Sequence, residues 1–294
     1  MKYKKILQQS IDLHIHVGPE IIPRKFDLSK LLKLEKGRLK GVGVKNHFFA
    51  TSSMTRPLEN KKCPFVVDSV VLNNYVGGFN PDIIYASAQL SSRPIIVWFP
   101  TLSAKNFLKG EQFEIPSEWI GNNKIKNRKV NEIKGLSTWN RKGEISREVK
   151  RVLLAIKKIG AILATGHISW QESRELVNCA TKEFGIKKII ITHPIYQRIN
   201  MPIRVQKELF NKGAFIEQCY SMYSIDKIPI TKIANQIKAV GAKNCILTSD
   251  VGQKFSESPS EALGDFIALL RREGITEREI KQMVIINPSY LIGR

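Results

Sequence analysis

At 294 residues the chain is long enough for one large barrel or two ordinary domains, and either buries a substantial core. Its 47 Lys and Arg against 26 Asp and Glu give a net charge of +21. The basic residues are dispersed, however, and the densest run, NNKIKNRKVNEIK at 122–134, lacks the interleaved aromatics that stack bases, so nucleic acid is not an expected partner.

No apolar run approaches the roughly 18 residues of a membrane span, so no membrane partner is expected. The N-terminal MKYKKILQQS is basic but is not followed by the apolar segment of a signal peptide. Cys63, Cys179, Cys219 and Cys245 are far apart and form no CxxC, which fits small buried thiols in a reducing, cytoplasmic location. A lysine-rich surface biases the expected partner toward small anionic substrates, and a homo-oligomer stays open.

In chain order, short β-branched apolar runs alternate with helix-like stretches. Strands are expected at about 11–16, 41–46, 65–72, 94–99, 160–165, 187–192, 213–219 and 244–249. Runs apolar on both faces fit parallel strands covered by helices. The helices carry their own start signals. Asn80 before Pro81 reads as an N-cap, and Ser169 with Glu172, like Thr276 with Glu279, reads as a capping box. Strand then helix, eight times, predicts an α/β fold of the (β/α)8 TIM-barrel type, with a doubly wound open sheet as the alternative. The chain reads as a single barrel domain over 1–294 with a long excursion after strand 4, at about 101–145, lying over the barrel mouth. Within it, Asn140 to Gly143 is expected to turn a small hairpin.

The five histidines fall in an ordered way. His14 and His16 end the first strand, and His47, His167 and His193 follow the second, fifth and sixth. Active sites of this architecture are built at the carboxyl ends of the strands, where the loops converge. Even if each histidine had even odds of falling there, five of five would be uncommon. Side chains two apart in a strand share a face, with Cα atoms about 6.5 Å apart, so His14 and His16 can converge on one ion. Asp250 ends the eighth strand, which a closed barrel makes the neighbour of the first. His167, from the fifth strand, would complete a shell of three histidines and one carboxylate. Asp12 is expected on the same strand face as the pair, below it, as a partner to a ligand histidine or to an inward lysine.

Those residues in that order resemble the amidohydrolase superfamily of metal-dependent (β/α)8 hydrolases, in which HxH on strand one, histidines on strands five and six and an aspartate on strand eight form the site. They match His14, His16, His167, His193 and Asp250, and phrases such as HVGPE, GGFNP, PTLSA, LATGH and THP point to an uncharacterised branch. The resemblance implies a divalent metal, most simply zinc. It also implies a bridging lysine or glutamate after strand four in two-metal members, but residues 98–101 (WFPT) offer neither, which favours one ion. Lys45, facing the same way as His47, is the candidate bridge to a second ion if carboxylated, and otherwise an ammonium for a substrate anion.

The resulting expectation is hydrolysis of a small anionic amide, ester or lactone by metal-activated water. Asp250 acts as the base, and His193 ligates the metal or polarises the scissile carbonyl. Arg24, Lys45, His47, Asn73, Asn74 and Arg198 are candidate substrate contacts. Trp98 and Phe99 are read as a pocket wall or as core, and Glu217 as an inward group touching the site or, by preference, as the partner of a lysine. The competing readings are a single-metal decarboxylase of the same superfamily and a non-catalytic metal-binding barrel.

Overall fold

The computed structural model describes residues 3–56, 64–120 and 125–293. Cys63 and positions 122–124 of the basic run lie outside them, and the other three cysteines are free and buried. Nine strand segments make eight barrel strands: β1 (Ile11–His16), β2 (Gly41–Lys45), β3 in two pieces (Phe65–Val67 and Ser69–Val71), β4 (Ile96–Trp98), β5 (Ile162–Ala164), β6 (Ile189–Ile191), β7 (Phe215–Cys219) and β8 (Cys245–Thr248). Each pairs in parallel with the next. Past the end of β8, Asp250 N donates to His14 O and His16 N donates to Val251 O, both at 2.8 Å, which joins β8 to β1 and completes the ring. The expected (β/α)8 barrel is the fold.

The covering helices follow in order: α1 (Leu28–Glu35), the single turn α2 (Ser52–Thr55), α3 (Pro81–Leu90), α4 (Arg147–Ile159), α5 (Trp170–Lys182), α6 (Ile203–Asn211), α7 (Ile230–Val240) and α8 (Pro259–Arg272). Their starts are set by local chemistry. Asn80 accepts from Asp82 N ahead of Pro81, and Ser169 and Glu172 form the reciprocal capping box that satisfies two otherwise orphaned amides. Among the described residues no helix is long and apolar enough to cross a membrane.

Strand alternation sorts the core into two layers. Ile96, Trp98, Ile162 and Ala164 point into the barrel, whereas Val97 and Leu163 between them pack outward under the helices. β1 departs from this alternation. Ile11 and Leu13 belong to the inner layer, but Ile15 and Val17 belong to the outer one. The register between β1 and β2 shifts between Asp12 and Ile15, so Leu13 and His14 together oppose Gly43. This β-bulge re-aims the strand so that His14 and His16 follow Leu13 onto the interior face. It also takes Asp12 off that face, contrary to the simple period-two expectation. The Asp12 carboxylate instead accepts from the amides of His14 (3.2 Å) and Ser249 (3.1 Å), and among the described residues it pairs with neither a ring nor a lysine.

The segment between β4 and α4 is tied down at several points. Leu136 N donates to Ser103 O at 2.7 Å, and Lys105 N donates to Leu136 O at 2.8 Å. Asn140 to Gly143 turns, with Trp139 and Ile145 bridged antiparallel across the turn. Glu172, the cap of α5, also accepts from Ser137 Oγ at 2.7 Å and Thr138 N at 2.9 Å. Two short helices in the segment, Lys105–Leu108 and Ser117–Ile120, carry Phe107 and Trp119 to the histidine end of the barrel.

Candidate active site

All five histidines and Asp250 gather at the carboxyl mouth of the barrel. His14 Nε2 and His16 Nε2 each lie 3.0 Å from Asp250 Oδ1. Donor atoms of these three residues lie within 4.8 Å of one another, a spacing that suits a metal ion. The Asp250 backbone is left-handed (φ 51°), and Ser221 Oγ donates to its Oδ2 at 2.6 Å, so Oδ1 is turned toward the histidine pair. The His167 and His193 rings are 5.1 Å apart at the same mouth. The Nδ1 atoms of both are buried with no hydrogen-bond partner among the described residues.

Two glycines let the backbone close in around these side chains. Gly166, at φ 63°, precedes His167, and a Cβ there would stand 2.2 Å from Phe99 O. Gly252, at φ 141°, follows Asp250 by two residues, and a Cβ there would stand 2.2 Å from His16 O. Neither position tolerates a side chain.

Of the two places open to Glu217, it takes the inward one and not the preferred lysine pairing: His14 Nδ1 lies 3.0 Å from Glu217 Oε1. The same carboxylate accepts from Thr248 Oγ1 at 3.0 Å and from His193 N at 3.2 Å. This contact fixes the ring of His14 so that Nε2 faces Asp250. Trp98 forms the floor, its ring centroid 4.5 Å from that of His14. Phe99 is buried in the outer layer and forms no wall.

The electrostatics divide these groups. Burial opposes ionisation of Asp250, but the charges and hydrogen bonds of His14 and His16 outweigh it and hold the carboxyl well below its ordinary range. Burial pulls His14 down, yet Asp250 and Glu217 leave it above its ordinary value. Burial, reinforced by the charge of His193, holds His167 well below, and burial brings His193 down to about 4 despite Asp250. The mouth therefore combines an ionised carboxylate with two neutral imidazoles near pH 7.

Lys45, at the end of β2, is fully buried. Its Nζ lies 3.0 Å from His14 Nε2 and 4.3 Å from the centroid of the Trp98 ring, and burial lowers its amine. Arg24 is held by Glu20, with Nη2 3.2 Å from His16 Nδ1. His47 stacks near Trp119, with ring centroids 6.0 Å apart, and pairs through Nδ1 with Thr101 Oγ1 at 2.9 Å. Arg24, Lys45, His47 and Arg198 all border a cavity of about 750 Å³ that opens over His16, His167, His193 and Asp250. Arg198 is drawn to the excursion, on Phe107 O at 2.8 Å and Glu111 at 2.6 Å.

Asn73 does not border the cavity. Its amide is spent on His47 O, Thr101 and Ser103, where it braces the loops after β2 and β4. Asn74 likewise donates to Lys134 O in the excursion. Two carboxylates were given no role by the sequence: Glu20, its side chain fully buried behind Arg24 in an irregular loop, and Asp226, which borders the cavity and whose carboxyl is raised by burial, followed by the charge of Asp250, to about 6.

This strand order and ring closure define a (β/α)8 barrel with its histidines clustered at the carboxyl mouth. The fold is similar to an amidohydrolase from Pseudomonas aeruginosa (11% identity, TM-score 0.62, 98% of this chain and 97% of that one). It is also similar to the probable dipeptidase PvdM from Pseudomonas aeruginosa (12%, 0.62, 99% and 97%). A third similar structure is a probable 2-pyrone-4,6-dicarboxylic acid hydrolase from Acinetobacter baumannii with citric acid bound (11%, 0.55, 97% and 100%). Identities this low show a shared fold alone. No curated protein sequence matches the chain. The chain belongs to a family of unknown function, DUF6282, whose family model matches residues 9–217.

Proposed function

We propose that the chain is a metal-dependent hydrolase acting on a small anionic amide, ester or lactone. The observation that carries this reading is the convergence of His14 Nε2 and His16 Nε2 on Asp250 Oδ1, each at 3.0 Å. The unpartnered Nδ1 atoms of buried His167 and His193 support the fit, because a buried ring nitrogen without a hydrogen bond is costly unless something binds it. In this reading His14, His16, His167 and Asp250 hold one divalent ion, and a set of three imidazoles and a carboxylate suits zinc. Such an ion, when bound, supplies Lewis acidity and lowers the pKa of water toward about 7.

The remaining chemistry belongs to side chains of this chain. Asp250, kept ionised, accepts a proton from the attacking water and returns it to the leaving group, while Ser221 holds the carboxylate in place. His193, neutral at pH 7, donates an N–H toward the oxygen on which charge develops. Lys45, Arg24 and His47 hold the substrate's anionic group beside His16, and Arg198 stands farther out at the rim. Trp119 lines the cavity with Phe107 packed behind it, ring centroids 5.5 Å apart, and Trp98 packs under His14.

The test offers amides, esters, lactones and aromatic carboxylates to chelator-stripped and zinc-reloaded protein. Ion-dependent hydrolysis of an anionic member is the expected result. Carbon dioxide release without hydrolysis would replace the reading with a decarboxylase using the same residues, and turnover indifferent to stripping would end the ion-dependent account.

A further inference from the structure

A second group of donors crowds the same mouth and shares only His16 with the set assigned to the ion. Atoms of His16, Glu20 and His47 lie within 4.8 Å of one another. They come from the end of β1, the loop after it and the residues after β2. Two imidazoles and a carboxylate at this spacing make a donor set for a divalent cation. His16 belongs to both groups, with Nε2 toward Asp250 and Nδ1 toward this second position. With Nδ1 of His47 on Thr101, its other ring nitrogen is left for the cluster.

A cation already stands there. The Arg24 guanidinium donates through Nε to Glu20 Oε1, and its Nη2 is 3.2 Å from His16 Nδ1. The Arg24 and Glu20 side chains are only 3% and 0% exposed. A carboxylate buried that completely needs a paired charge, since desolvating it alone costs several kcal/mol. The guanidinium supplies that charge without a metal. Its backbone is held as well. Arg24 bridges Gln253 antiparallel, Lys25 N donates to Gly252 O at 2.9 Å, and Gly18 N donates to Phe26 O at 2.9 Å, so the loop is pinned to the segment after β8. Arg24 nonetheless borders the cavity. Two of its N–H groups are committed to Glu20 and His16, and the rest of the fork remains for a two-point grip on an anion.

We propose that the Arg24 guanidinium occupies a second cation position formed by His16, Glu20 and His47, restricting the centre to one metal ion and serving as the clamp for a substrate carboxylate. The inference rests on the ion-dependent reading above. It gives a physical basis for a one-ion centre and assigns the anion preference to a particular group. Lysine at position 24 would not substitute, because a point ammonium lacks the fork that reaches Glu20, His16 and a carboxylate together.

The experiment counts metal. Stripped protein is reloaded with excess zinc, desalted and analysed by mass spectrometry for ions per chain, with circular dichroism to verify folding. Wild type is expected to hold one ion and Arg24→Met two, the second ion displacing the remaining His16 ring proton to solvent so that the imidazolate bridges the pair, whereas Arg24→Met combined with Glu20→Gln should return to one. Arg24→Gln, also neutral, is the second variant should Arg24→Met fail to fold, and it too should hold two. Two ions in wild type, or one in both folded Arg24 variants, would overturn the inference while leaving the hydrolase reading in place. No ion in wild type would overturn both. The clamp is tested by calorimetric titration with succinate. The one-ion double variant should bind it about tenfold or more weakly than wild type, and equal affinity would refute the clamp.

Discussion

Glu217→Gln separates orientation of a ligand histidine from simple packing. Glu217 is buried on β7 and accepts from His14 Nδ1, Thr248 Oγ1 and His193 N. Burial opposes its charge, but His14 outweighs that and holds the carboxyl below its ordinary value. Glutamine keeps the shape, removes the charge and turns one acceptor into a donor. Whichever oxygen is replaced, the new NH2 faces an existing donor, at a cost of about 1–3 kcal/mol for the buried group left unsatisfied. Losing the carboxylate behind His14 also makes Nε2 a poorer ligand, and loss of such a partner weakens metal affinity about 10- to 100-fold, or about 1.4–2.8 kcal/mol. Zinc competition against a chromophoric chelator reads the affinity, and urea unfolding of stripped protein reads the stability. Both should fall. A zinc affinity within twofold of wild type, whatever the stability, would refute the argument that Glu217 orients His14.

Other perturbations test separate parts of the account. Lys45→Met removes a cation 3.0 Å from His14 Nε2 and should tighten zinc binding by about 1.4 kcal/mol, roughly tenfold, in the same competition assay; weaker binding would make Lys45 a ligand instead. Gly252→Ala sets a Cβ against His16 O at a backbone angle that side chains rarely adopt, and should cost about 2–4 kcal/mol in urea unfolding; a loss below about 1 kcal/mol would contradict the packing described. Asp226 titrates near 6 in the fold against 3.8 as an ordinary carboxyl, so its favourable contribution is complete below pH 3.8 and disappears as pH rises through about 6. Asp226→Asn should therefore melt higher than wild type at pH 7–8, with the difference shrinking toward pH 4. A difference independent of pH would show that Asp226 is not the group responsible.

The parts of this molecule that were legible in the sequence depend on local rules. β-Branched runs such as IVW at 96–98 and III at 189–191 specify buried parallel strands, and Ser169 with Glu172 marks a helix start, whatever the rest of the chain does. The histidines were legible as a set because each sits at a strand's carboxyl end. What escaped depends on contacts between distant segments. IDLHIH alternates apolar and polar residues without a break, so nothing in it announces the bulge opposite Gly43 that frees Asp12 for two backbone amides. Glu217 reads from the sequence either as an inward group or as a lysine's partner, and only the closed barrel decides for the interior, where it meets His14. Asn73 reads as a cavity residue from its place after β3, yet its amide satisfies loop backbone. Glu20 ends the HVGPE phrase, which assigns it no role, and its significance arises only when the loop folds Arg24 back between it and His16.

The most direct test of the central claim is the metal content of purified wild type beside His16→Ala, measured by mass spectrometry on chains shown by circular dichroism to be folded. Structural zinc sites with four ligands bind with about 10–16 kcal/mol, so one ligand corresponds to about 3 kcal/mol, or roughly two orders of magnitude in affinity. The account predicts one divalent ion per wild-type chain and little or none in His16→Ala after desalting, with the barrel intact. A wild type that takes up no ion, or a variant that retains it in full, would contradict it.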